Sequence, residues 1–221
     1  MGQDVKILRP DGGLCEAYFS PAQDGQSAIV PLQEWWGLND QIRAQADRYA
    51  VAGFHTLVPD LYHGRRAHDA DEAKHLMDHL DFPAATDQDV AAAVSYLRSL
   101  GYRVGVSGFC MGGALSVAAA VRLPVEAVVC FYGWPPRSWI DPADIAIPFQ
   151  GHFAQKDAWI TPAWVDEIEA AMHAAGRQAE IFRYEAEHAF CNESRPEVYD
   201  AILASLALAR TQEFFRRHLC P

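Results

Sequence analysis

Gly108-Phe109-Cys110-Met111-Gly112-Gly113 follows the apolar run Tyr102 to Val106 and precedes an alanine-rich segment of helical character. The stretch predicts a strand, a sharp turn and a helix, with a thiol at the apex of the turn. Such a nucleophile elbow holds its reactive residue in strained backbone, and small residues two positions to either side let the strand and helix close up. Gly108 and Gly112 occupy those two positions. Cys110 is therefore a candidate nucleophile displayed at a strand end. The alternative is a buried small hydrophobe, a common fate of a free cysteine.

Around the elbow, β-branched and aromatic segments recur at Val5 to Leu8, Glu16 to Phe19, Ala28 to Leu32, His55 to Val58, Arg103 to Val106, Ala127 to Phe131, Ile147 to Phe153 and Ala179 to Tyr184. Helical patterns lie between most of them, at Asp40 to Ala52, Ala70 to Leu80, Ala84 to Leu100, Met111 to Val121, Pro162 to Ala175 and Pro196 to His218. Gly53, Gly101 and Gly176 stand where three of these helices need a left-handed cap. The alternation predicts an α/β architecture: a mostly parallel sheet of about eight strands with helices on both faces. The short Arg9 to Gly13 connection predicts an antiparallel hairpin at its start. With no repeat, low-complexity tract or polar linker, residues 1–221 read as a single domain. Tyr62 to Asp71 is the least regular stretch and the best candidate for a loop over a site.

Eighteen basic against twenty-nine acidic residues give a net charge of −11. Such a surface repels phosphate backbones and anionic lipid, so nucleic acid and membranes are not expected partners. Neither a signal peptide nor a spanning run is present, and the protein is expected to be soluble and cytoplasmic, as a monomer or small homo-oligomer. Cys15, Cys110, Cys130, Cys191 and Cys220 are odd in number and contain no CxxC pair, which suits free thiols in a reducing compartment. His75 and His79 are spaced for one helix face, with His68 upstream, yet no HExxH accompanies them. A solvated helix face is the simpler reading, and neither metal nor cofactor is expected.

Acyl transfer needs a base for the nucleophile, a group to orient the base and amide donors for the oxyanion. In an open α/β sheet these gather at the carboxyl ends of strands. Asp157 follows the segment ending at Phe153 and His188 follows Tyr184, in the chain order nucleophile, acid, histidine. Asp157 could instead cap the helix beginning near Pro162 or bond to the backbone of its own turn, and Asp141 and Asp144 are competing acids one strand earlier. Glu34 stands after Leu32 and before two tryptophans, where burial would raise its pKa. The amides of Trp35 and Met111 are the candidate oxyanion donors.

With these residues placed, the chain resembles the dienelactone hydrolase (carboxymethylenebutenolidase) family of α/β-hydrolases over nearly its whole length. The marks are Gln33-Glu34-Trp35-Trp36-Gly37, Pro59-Asp60-Leu61-Tyr62, the Gly108 to Gly113 elbow, Asp157 and His188-Ala189-Phe190. The resemblance implies a Cys110-Asp157-His188 triad, with Glu34 contacting the resting thiol and helping to activate it. Family members hold a substrate carboxylate with arginines, one of them shortly after the histidine. Here that place holds Asn192, with Arg195 beyond, and the other region offers Lys74, with Arg65 and Arg66 upstream. Arg65, Arg66, Lys74 and Asn192 are the candidate substrate-binding residues, and lysine lacks arginine's planar fork.

The expected activity is hydrolysis of a lactone or small carboxylic ester through an acyl-thioester. A broad carboxylesterase or thioesterase shares every feature except the pocket. A ligand-binding homologue without turnover would not require nucleophile, acid and base together. A redox thiol would require a resolving partner, for which only Cys191 has a spatial claim.

Overall fold

The computed structural model describes residues 2–220. Eight strands form one sheet in the order β1-β2-β4-β3-β5-β6-β7-β8: β1 Gln3–Leu8, β2 Leu14–Ser20, β3 Ser27–Leu32, β4 His55–Pro59, β5 Arg103–Phe109, β6 Ala127–Phe131, β7 Phe149–Ala154 and β8 Ala179–Tyr184. β1 and β2 are the expected hairpin, closed by Arg9 N donating to Gly13 O at 2.9 Å. β2 meets β4 antiparallel, and every later pairing is parallel. The fold is that of the α/β-hydrolases, as expected. In β3 the ladder to β4 ends at Ile29, two residues before Pro31, whose missing N–H could not extend it. Pairing to β5 runs on to Leu32, which carries the following loop to the elbow.

The helices are α1 Asp40–Val51, α2 Ala70–Asp78, α3 Phe82–Ala84, α4 Ala91–Ser99, α5 Met111–Arg122, α6 Pro162–Ala174 and α7 Ala201–Leu219. Period-two alternation along the central strands feeds two cores. Val30, Val104, Val106 and Val128 pack with α4, α5 and α6, while Ile29, Val58, Val129 and Phe131 pack with α1 and α7. Each fully buried aromatic such as Tyr49, Phe131 or Phe215 contributes about 1.5–3 kcal/mol by leaving water. None of the described helices is long and apolar enough to cross a membrane.

Two helical expectations are corrected. The segment 84–100 is not one continuous helix, because Ala85–Val90 forms a π-helical turn between α3 and α4. Within that turn Asp89 is buried, with its carboxylate 3.5 Å from Arg9 and 3.6 Å from His63. The last helix begins at Ala201 rather than at Pro196, since Val198 and Tyr199 donate to Arg195 O in a turn and Asp200 caps the amides of Ile202 and Leu203.

Candidate active site

Cys110 lies between β5 and α5 with φ 53° and ψ −115°, a conformation that L residues hold only when their surroundings impose it. The surroundings do so here. A Cβ on Gly108 would run into the carbonyl of Gly112, and one on Gly112 would come within 2.5 Å of the Leu32 and Gln33 carbonyls. The two glycines thus let strand, helix and the loop after β3 approach closely. Cys110 N donates to Phe131 O at 3.0 Å, which ties the apex to β6. The thiol stands at the N-terminal end of the twelve-residue α5, whose dipole favours negative charge.

His188 Nε2 lies 3.2 Å from Cys110 Sγ, and its Nδ1 lies 2.7 Å from Asp157 Oδ2. Asp157 comes from the loop after β7 and His188 from the loop after β8. Gln155 N donates to Tyr184 O at 2.8 Å and Lys156 N to Ala186 O at 3.0 Å, so the two loops hold one another in place. The other oxygen of Asp157 accepts from the amides of Trp159 and Ile160 at 2.8 and 3.0 Å. Asp157 thus faces His188 through one oxygen and its own turn through the other, while the cap of α6 is Thr161 and not Asp157. Burial works against the imidazolium of His188, but the Asp157 carboxylate and Cys110 outweigh it and raise its pKa to about 10. Asp141, the competing acid, caps a short 3-10 turn through Ala143 N.

Glu34 is buried beside the elbow, and burial pushes its carboxyl up from the usual range. Its oxygens accept from Tyr132 OH at 3.1 Å and from Asn192 Nδ2 at 2.6 Å. The thiol's hydrogen-bond partner is His188, and the hydrogen bonds of Glu34 go to Tyr132 and Asn192 and not to the thiol that the resemblance implied. The amides of Trp35 and Met111 find no partner among the protein hydrogen bonds of the described residues.

A cavity of about 190 Å³ opens over Cys110 and His188, walled by Met77, Phe82, Trp134, Pro135, Trp159 and Ile160. Its wall on that side comes from α2 and α3, not from the Tyr62 to Asp71 loop expected to cover the site. The start of that loop is pinned instead: Asp60 accepts from the amides of Tyr62 and Gly64 at 3.1 and 2.6 Å. A second cleft of about 320 Å³ lies against His188 from the other side, bordered by Trp35, Lys156, Asp157, Trp159, Glu187 and Arg195.

The expected substrate-binding residues do not border the 190 Å³ cavity. Lys74 pairs with Asp78 one turn along α2, Arg65 reaches back to Tyr62 O, and Arg66 lines a separate groove with Asp4, Lys6, Glu16 and Arg43. Asn192 turns inward to Glu34. The sequence reading missed Tyr132, whose ring packs edge-on against His188 at 5.2 Å while its hydroxyl holds Glu34. Its one sequence signal is position: Tyr132 directly follows the buried strand β6, and in the fold Gly133 next to it sits tight against the Cys110 carbonyl. His152 is a structural histidine, fully buried between Tyr184 and Gln150 at 2.7 and 2.9 Å, with its pKa lowered to about 3 by burial.

The sequence profile of the dienelactone hydrolase family matches residues 16–219. The chain belongs to the dienelactone hydrolase family. It is 34% identical over 232 residues to a protein named usf of Aquifex pyrophilus, covering 99% of this chain and 100% of that one. It is 28% identical over 228 residues to carboxymethylenebutenolidase 1 of Cupriavidus pinatubonensis, covering 96% of each chain. Among solved structures, a dienelactone hydrolase-like promiscuous phosphotriesterase from metagenomic libraries superposes with a TM-score of 0.85 over 99% of both chains. At 21% identity, that likeness is one of fold.

Proposed function

We propose that this dienelactone hydrolase family member is a carboxylic ester hydrolase, acting on esters or lactones through an acyl-thioester on Cys110. The observation that carries the reading is the continuous chain from Cys110 Sγ through His188 to Asp157, at 3.2 and 2.7 Å, with Cys110 and His188 both lining one apolar cavity.

His188 takes the thiol proton, and the Sγ electron pair attacks the carbonyl carbon to form an S–C bond. The carbonyl electrons move onto oxygen, where the Trp35 and Met111 amides receive the charge. The tetrahedral intermediate collapses by breaking the C–O bond, and His188 passes its proton from Nε2 to the leaving oxygen. A water molecule then gives a proton to His188 and attacks the thioester carbonyl; the C–S bond breaks, the acid leaves, and His188 returns the proton to Sγ to restore the thiol. Asp157 keeps the Nδ1 proton in place throughout and steadies the imidazolium. The raised pKa of His188 strengthens it as the base of the first step. Glu34, with its raised pKa, is the other group beside the elbow able to exchange a proton, once a hydrogen bond from Tyr132 or Asn192 is given up.

The test is Cys110→Ala assayed on p-nitrophenyl acetate and on a lactone. Loss of about a thousandfold or more in kcat/KM supports the reading, and activity near the wild-type level overturns it.

A further inference from the structure

Trp159 is 53% exposed, an unusual position for the largest apolar side chain, and it stands in the wall of both compartments that meet at His188. Its ring lies 4.6 Å from the His188 ring and packs edge-on against Trp35 at 5.4 Å. The compartments differ in two respects. The 190 Å³ cavity includes Cys110, and none of Asp, Glu, Lys or Arg borders it. The 320 Å³ cleft includes Asp157, Lys156, Glu187 and Arg195 but not Cys110.

We propose that Trp159 partitions the substrate: the acyl group, uncharged and of benzoyl size, fills the apolar cavity, while the alcohol portion, charged or neutral, lies in the polar cleft. The assignment rests on the reading of Cys110 as nucleophile, since the acyl group becomes bonded to Sγ and must occupy the compartment that contains it. The leaving oxygen needs only to reach His188 Nε2, and His188 borders both compartments.

Size and charge fix the class. An apolar cavity of about 150 Å³ holds a benzene ring, so one of about 190 Å³ matches an aryl or short branched acyl group. A carboxylate on the acyl side would lie against apolar walls with neither lysine nor arginine beside it, the one basic side chain there, His188, being already paired with Asp157. The same carboxylate on the alcohol side would stand in the cleft beside Lys156 and Arg195.

Two isomeric esters separate these outcomes, since they differ only in which half carries the charge. Phenyl hydrogen terephthalate has its carboxylate on the acyl side, and 4-(benzoyloxy)benzoic acid has it on the alcohol side. With phenyl benzoate as reference, the wild-type enzyme is expected to hydrolyse the second within a few-fold of the reference and the first about 100-fold more slowly in kcat/KM. Trp159→Ala should cut that ratio to below about tenfold by joining the compartments, and Trp159→Phe should largely restore it.

Equal rates on the two isomers, or preference for the terephthalate, in an enzyme that still requires Cys110, overturn the partition while leaving the nucleophile intact. A ratio unmoved by Trp159→Ala removes Trp159 as the divider. Hydrolysis of phenyl benzoate that survives Cys110→Ala overturns the underlying reading instead, and the assignment of compartments with it.

Discussion

Asp157 meets His188 through a single carboxylate oxygen at 2.7 Å and gives its other oxygen to the amides of Trp159 and Ile160. The acid is thus locked by its own turn before it orients anything. Pre-organisation of this kind lets a loop residue hold its partner histidine to within a fraction of an ångström.

Asp157→Asn tests the division of labour. The asparagine oxygen can still accept from the two amides, so the melting temperature should fall by only a few degrees, about 2–4 °C per kcal/mol lost in a chain of this size. The amide nitrogen facing His188 cannot accept the Nδ1 proton, and kcat should fall by about 100-fold or more. Thermal melts with steady-state kinetics separate the effects, and a large drop in stability with little change in kcat would contradict the assignment.

The stability contributed by His188 should vanish at high pH. Its folded pKa, about 10, lies above the ordinary histidine value of about 6.5. A raised folded pKa gives a contribution fully present below the unfolded value and lost as pH rises through the folded one. In urea titrations, the stability difference between wild type and His188→Gln should therefore narrow as pH is raised from about 6.5 towards 10. A gap that widens over that window contradicts the origin given for the shift.

Asn192→Asp should set a second carboxyl against Glu34, whose own pKa burial already raises. One proton must then be retained by the pair, so the variant should be destabilised more near neutral pH than in acid, by the same linkage. Paired melts of wild type and variant at mildly acidic and neutral pH check the sign, and equal destabilisation at both contradicts it.

Gly108→Ala should be among the least tolerated changes in the molecule. The added methyl would meet the Gly112 carbonyl, which is backbone and cannot swing aside. A loss of about 4 kcal/mol or more, or failure to fold, is expected from chemical denaturation. A variant as stable as wild type would mean that strand and helix are less tightly apposed than described.

Much of the molecule was legible because its signals are local. Apolar runs with β-branched residues marked the strands, glycines marked the elbow, and strand ends placed Cys110, Asp157 and His188 before any contact was known. What escaped depends on contacts across the fold. The π-helical turn is seen only with Asp89 facing Arg9 and His63 from another part of the chain. The helical pattern after Pro196 gives no sign that Asp200 outcompetes it as the cap. Tyr132 reads as an ordinary buried aromatic until its hydroxyl is found on Glu34. The partnership of Glu34 with Asn192 joins residues 158 positions apart, so no spacing rule reaches it. Arg65, Arg66 and Lys74 were credible grips by charge alone, but Lys74 pairs with Asp78, Arg65 turns to Tyr62 O, and Arg66 lines a separate groove.

The most direct measurement is acid-quenched mass spectrometry of the enzyme mixed with p-nitrophenyl benzoate, followed by peptide mapping. A benzoyl group on the peptide that carries Cys110, removable by hydroxylamine and formed as fast as p-nitrophenol appears, is the result expected of a thioester intermediate. Steady turnover with no acyl group on Cys110, or with the label on Cys191 or Cys220 instead, would contradict it.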